Sequence, residues 1–400
     1  MSGSRQRQRL TLLRALAALS RPLRPARTLA LPAAPRILLI RPDHIGDLLF
    51  ATPALRLLRH AFPDAHLTAL VGPWGKAVWE QNPHLDEQIV CEFPGFTRQP
   101  KDSAWAPYRT LWAWAQEMRS QRFDLAIVLR FDHWWGALLA YAAGVPRRLG
   151  YAVPECQPFL TAALPYVKER HEVQQNLTLV QEAIRESGRT VPEETSALEF
   201  TITAADQAYA AAYLARLGPV ADQPWVAIHP GAGAEVKLWC PEAWAQVSGA
   251  LAQRWGARFV ITGSRAELDL AWSVYAYMQA DAFVAAGDTT LGQLAALFQR
   301  CSLVLGPDCG PLHLAVAAGT PTVHLYGPVD AHKFGPWGKL GKHLVVTSER
   351  ACIPCNRLDY TPAQFLEHPC VREIAVEAVL EAAEKLLVAG HMLHTDGLQS

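Results

Sequence analysis

The feature that most constrains this chain is the recurrence of short, nearly continuous apolar runs, each followed by a turn of small residues and a stretch with helical spacing. Arg36-Ile37-Leu38-Leu39-Ile40 is the first, His66-Leu67-Thr68-Ala69-Leu70-Val71 the second, and Asp124-Leu125-Ala126-Ile127-Val128-Leu129 another. A strand with one wet face alternates polar and apolar residues. A strand that is apolar throughout is buried on both faces, the condition of a parallel sheet covered by helices. The segment from Leu48 to His60 reads as one covering helix in spite of Pro53. After a weaker stretch, 188–222, in which 204–217 has helical spacing, the pattern restarts. Trp225-Val226-Ala227-Ile228-His229, Arg258-Phe259-Val260-Ile261-Thr262 and Ser302-Leu303-Val304-Leu305 are its strands. The alternation predicts an α/β fold, and 400 residues are enough for two cores. We expect an extension at 1–34, an N-terminal domain at 35–205 and a C-terminal domain at 206–400. Ligands belong at the carboxyl ends of such strands, and a cleft between two domains is the natural place for a site.

Composition excludes several classes. With 37 basic and 37 acidic side chains there is no whole-chain charge to attract nucleic acid. An apolar half is incompatible with general disorder. The eight cysteines are too sparse for a small disulfide scaffold, which favours a reducing, cytoplasmic compartment. No apolar run reaches the roughly 20 residues that span a bilayer. Charge is uneven, however. Nine arginines and no carboxylate precede Asp43, and Leu12, Leu16 and Leu19 are spaced for one helix face. The extension can lie peripherally on an anionic membrane surface, or simply be a loosely docked arm. Cys352, Cys355, His368 and Cys370 can hold a structural metal, pair as a disulfide or remain free thiols.

Three loops carry candidate chemistry. Arg41-Pro42-Asp43-His44-Ile45-Gly46-Asp47 follows the first strand, so Asp43, His44 or Asp47 can serve as a base; Asp47 can equally cap the helix that follows. In His229-Pro230-Gly231-Ala232-Gly233-Ala234-Glu235-Val236-Lys237, small residues expose backbone amides near a mobile cation, a credible diphosphate cradle or a plain turn with a surface lysine. Gly263 and Ser264 repeat that arrangement more weakly. The third loop is Gly306-Pro307-Asp308-Cys309-Gly310-Pro311-Leu312-His313, a strand, a glycine-bounded turn and a helix opened by Pro311. Asp308 can accept hydrogen bonds from sugar hydroxyls, helix-start amides can receive phosphate, and His313 can contact ligand or pack in the core. Arg130, Asp132, His133, Trp134 and Trp135 end an N-domain strand and can face an acceptor, as can Arg147 and Arg148.

Taken together, Arg41-x-Asp43-x-Ile45-Gly46-Asp47, His229-Pro230-Gly231-x-Gly233 with Lys237 and Trp239, and Gly306-x-Asp308-x-Gly310-Pro311-x-His313 through Tyr326-Gly327-Pro328 resemble glycosyltransferase family 9, the ADP-heptose:lipopolysaccharide heptosyltransferases. The resemblance runs from about Arg36 to about Pro336. It implies a GT-B fold, two Rossmann-like domains with an interdomain active-site cleft, and an inverting transfer that uses no metal and no cofactor. The donor implied is a nucleotide sugar, ADP-heptose, and the acceptor a lipid-linked oligosaccharide of the lipopolysaccharide inner core. By resemblance Asp47 is the general base. Lys237 clamps the diphosphate, and Asp308 with the backbone of Gly310, Pro311 and Leu312 positions the donor. Two other readings stay open: a related transferase using another nucleotide sugar, and a non-catalytic nucleotide-sugar binding protein.

Overall fold

The computed structural model describes residues 10–11, 13, 31–96, 106–193, 195–218 and 223–396. The chain forms two compact units, Met1–Ser196 and Ala197–Ser400. The division falls earlier than the expected 205/206, because the helix Ala204–Arg216 packs on Leu291–Gln299 of the second unit. Its start is sharp: Thr203 and Asp206 satisfy each other's backbone amides in a capping box.

In the first unit β1 (Arg36–Arg41), β2 (His66–Val71), β3 (Glu87–Val90), β4 (Leu125–Val128), β5 (Arg147–Tyr151) and β6 (Ala162–Leu164) form a parallel sheet in the order β3-β2-β1-β4-β5-β6. Ile37 to Ile40 and all of β4 are buried, as strands covered on both faces must be. In the second unit β7 (Trp225–Ile228), β8 (Arg258–Ile261), β9 (Ala282–Val284), β10 (Leu303–Pro307), β11 (Thr322–Tyr326) and β12 (His343–Thr347) repeat the plan as β12-β11-β10-β7-β8-β9. Both units are therefore Rossmann-like. In each, the chain works outward from the first strand, returns and continues on its other side. The reversal leaves a crevice at the carboxyl ends of β1 and β4 in one unit and of β7 and β10 in the other.

The single helix expected over Leu48 to His60 is two, Ile45–Leu49 and Thr52–Ala61. Proline lacks an N–H and is tolerated in a first turn, so the chain ends one helix and starts another with Pro53 in its opening turn. Leu13, between the expected Leu12 and Leu16, is buried in the same core cluster of the first unit as Leu111, Trp135 and Phe159. Leu12, Leu16 and Leu19 lie outside the described residues. Among the described residues no helix is long and apolar enough to cross a membrane.

Candidate active site

At the β1/β4 crevice the chain buries charge. Arg41 ends β1 with its side chain 1 % exposed, and each guanidinium nitrogen lies close to an acidic or amide oxygen. Nε faces Asp43 Oδ2 at 2.7 Å, and Nη1 donates to Asn176 Oδ1 at 3.1 Å. Nη2 donates to Glu172 Oε1 at 3.0 Å and more distantly to Asp47 Oδ1 at 3.5 Å. Arg130, from the loop after β4, pairs with Asp43 and holds Asp132 at 2.6 Å. Trp74 Nε1 donates to the carbonyls of Pro42 and Asp43, pinning the loop that carries these groups.

The two loop aspartates are thereby separated in role. Burial works against the anion of Asp43, but Arg41 and Arg130 hold its carboxyl below the usual range. Asp47 has the weaker share of Arg41, and burial with the adjacent Asp43 carboxylate pushes it up to about 7. It is also the group that solvent reaches: its side chain is 31 % exposed, against 2 % for Asp43. The expected capping role is not what the structure shows. His44 is the N-cap, without a side-chain cap bond, and Asp47 lies inside the helix facing Arg41. His44 is exposed, with its ring 5.7 Å from Trp74.

Other expected acceptor contacts are corrected by burial. His133 is buried among Phe93, Phe96 and Trp135, and burial holds it neutral, down at about 3. Trp135 is in the core and donates to Pro107 O at 2.9 Å. Arg148 is no open anion contact either. It is 3 % exposed, donates to Phe159 O at 2.6 Å and stacks over Tyr141. Arg130, Asp132 and Trp134 remain half-buried at the crevice.

At the β7/β10 crevice the loops after the two strands meet. Lys237 Nζ donates to Asp308 Oδ2 at 2.7 Å and to the Asp308 carbonyl at 3.2 Å, so the glycine-rich loop after β7 is tied to the turn after β10. Burial opposes the Asp308 anion, yet His313 and Lys237 keep its carboxyl well below the ordinary range. His313 Nε2 lies 3.8 Å from Asp308 Oδ1. Its ring is buried and packs 5.4 Å from His324, so it supports Asp308 from the core side. The helix Gly310–Ala317 starts here, with Pro311 in its first turn and Cys309 as N-cap. Leu312 sits in the core beneath Gly306, where an added Cβ would lie 2.4 Å from Leu312 Cδ2 and 2.6 Å from His229 O. Burial pushes the Cys309 thiol far up, leaving it a poor nucleophile.

The glycines differ in what they face. A Cβ at Gly231 would meet Glu267 Oε1 at 2.0 Å, whereas Gly233 faces open space. Gly263 lies close to Ala286 and Glu267. Ser264 donates its hydroxyl and its backbone N–H to Glu267 Oε2, both at 2.7 Å, in a capping box. Trp239 is structural: buried, it donates to Ile374 O at 3.1 Å and meets Trp244 edge-on.

Sequence reasoning missed Glu172 and Asn176. Both stand on the apolar stripe of the helix Glu172–Glu186, with Val173, Leu179, Val180, Ala183 and Ile184. Polar residues at core positions of a helical period were the available signal. Cys352 and Cys355 are exposed free thiols, and Cys370 is buried. Among the described residues no group of three or more histidine, cysteine or acidic side chains is gathered to hold a metal ion.

The sequence pattern of glycosyltransferase family 9 (heptosyltransferase) matches residues 111–361. The chain belongs to this family. Lipopolysaccharide heptosyltransferase 2 of Escherichia coli K12 is 23 % identical to it over 305 residues, covering 73 % of this chain and 83 % of that protein. A family 9 glycosyl transferase structure from Veillonella parvula superposes with a TM-score of 0.74 at 25 % identity, over 90 % of this chain and 99 % of that one. The E. coli ADP-heptose lps heptosyltransferase II superposes with a TM-score of 0.69 at 21 % identity, over 89 % and 99 %. This family 9 member is thus a GT-B glycosyltransferase built from two Rossmann-like units.

Proposed function

We propose that this family 9 transferase moves heptose from ADP-heptose to an acceptor sugar of the lipopolysaccharide inner core, with inversion and without a metal ion. The observation that carries the reading is Asp47. It is a partly exposed carboxylate, set among buried charges and raised to about 7, where a general base works best near neutral pH. Asp47 takes the proton of an acceptor hydroxyl as that oxygen bonds to the anomeric carbon. The bond from that carbon to the nucleotide diphosphate breaks, its electron pair leaves with the diphosphate, and configuration inverts. In this reading the second unit holds the donor. Lys237, the amides of Gly310 and Leu312 at the start of the helix, with Pro311 between them, and the loops at Gly231, Gly233 and at Gly263, Ser264 meet the diphosphate, offsetting the charge that grows on the leaving group. Asp308 orients Lys237 and accepts from sugar hydroxyls, with His313 behind it.

The choice of ADP-heptose is supported by what the E. coli relatives are named for, and of a lipid-linked acceptor by the same names. In this reading the reaction runs at the cytoplasmic face of the inner membrane. The test is nucleotide diphosphate release from ADP-, GDP- and UDP-sugars with a delipidated inner-core acceptor, in wild type and Asp47→Asn. Acceptor-dependent ADP release from ADP-heptose alone, reduced at least about 100-fold in Asp47→Asn with donor binding retained, is expected. Turnover with a different sugar refutes the donor assignment. Donor binding with no turnover refutes the transferase reading in favour of a nucleotide-sugar binding protein.

A further inference from the structure

The buried cluster around Arg41 contains a carboxylate that the transfer does not use. Glu172 opens the helix Glu172–Glu186, and its side chain is 5 % exposed, too deep to meet an acceptor. Its Oε1 lies 3.0 Å from Arg41 Nη2, the same nitrogen that reaches Asp47 Oδ1 at 3.5 Å. Two acids therefore compete for one N–H₂ group, and the buried one is closer. One turn along the helix, Asn176 takes Nη1 at 3.1 Å while its own amide donates to Glu172 O at 2.9 Å and Phe50 O at 3.3 Å. The helix Glu172–Glu186 thus engages both terminal nitrogens of the guanidinium.

We propose that Glu172 is a positioning residue for the base: by occupying Arg41 Nη2 it keeps this cation from closing on Asp47. The inference deepens the reading of Asp47 as base and rests on it. Its physical content is a competition. A carboxylate in full contact with a buried guanidinium is a stable anion and a weak proton acceptor. Glu172 is the nearer acid at Nη2, so it offsets part of the Arg41 charge that Asp47 meets. The other charged groups around Asp47 are Asp43, from the same loop, and Arg130, from the loop after β4, which is engaged with Asp43 and Asp132. Neutralising Glu172 removes a negative neighbour and frees Nη2. Both changes act in one direction, making Asp47 easier to ionise and less basic.

The experiment uses full-length protein with ¹³C-carboxyl-labelled aspartate, the Asp47 resonance being assigned by its loss in Asp47→Asn. Its titration is followed in wild type, Glu172→Gln and Glu172→Asp, beside the pH dependence of kcat for the best donor and acceptor pair. In Glu172→Gln the midpoint of Asp47 is expected to fall by roughly one pH unit or more, and the acid limb of kcat to move with it. Glu172→Asp keeps the charge and is expected to stay near wild type, which separates charge from packing. Thermal melting establishes that each variant is folded; if Glu172→Gln is not, Glu172→Asp with Asn176→Asp, which adds a second anion at Arg41, is expected to move the midpoint upward instead. An Asp47 midpoint unmoved in every folded variant overturns the proposal. A midpoint that falls while the acid limb stays fixed upholds the competition and instead refutes Asp47 as the base.

Discussion

Replacing Lys237 with methionine tests whether the second site is built as a desolvated ion pair. Asp308 is 9 % exposed and Lys237 13 %, at 2.7 Å. Removing one partner of a buried pair usually costs about 3–5 kcal/mol, because the other charge is left without compensation. Here His313 still lies 3.8 Å from the carboxylate and water reaches the lysine end, so we expect about 2–3 kcal/mol. Lys237→Met/Asp308→Asn removes both charges and should recover at least about 1 kcal/mol of that loss. The two units need not unfold together, so the assay is hydrogen exchange in urea at the amides of β10, next to Asp308. The pH dependence has a definite sign. In wild type Asp308 is held below its unfolded value, near 3.9, so its contribution is complete above that pH and is lost in acid. In Lys237→Met the lysine's share of the lowering is lost while that of His313 remains, so Asp308 rises from its wild-type position. The variant is then penalised at neutral pH, and the gap to wild type closes as acid neutralises the group. A gap under about 0.5 kcal/mol at pH 7, or one that widens in acid, would refute the reasoning.

Asp47 must be ionised to accept a proton, so turnover should fall about tenfold per unit below a midpoint near 7 and level off above it. An acid limb near 4 would mean that the buried charges do not act on the base. Gly306→Ala should cost about 1–3 kcal/mol, since the new methyl meets both Leu312 and the backbone oxygen of His229, whereas Gly233→Ala, facing open space, should leave the melting temperature within a degree or two. Equal effects at the two glycines, read by thermal melting, would remove the argument from close approach.

What the sequence determined by itself is local. Ile37 to Ile40 is apolar without interruption and Leu67 to Val71 is broken only by Thr68, runs that suit a strand covered on both faces, so β1 and β2 were legible. Pro311 and the left-handed Gly319 bracket a helix wherever they stand, because one lacks an N–H and the other lacks a Cβ. The loops at Asp47, Lys237 and Asp308 were found because they follow strands, and the sheet order then places them at the two strand-order reversals. Tertiary structure alone decided the roles of the charges. Asp43 and Asp47 share one loop, yet one is sealed between two arginines and the other opens to solvent. Arg147 and Arg148 are neighbours, but only Arg148 turns inward. Glu172 and Asn176 reach Arg41 from 131 and 135 positions away, on a helix whose spacing asks for apolar residues there. Periodicity reports which face of an element is buried. It cannot report which charges that burial brings together, and a carboxylate becomes a base or a structural anion through exactly those neighbours and its access to water.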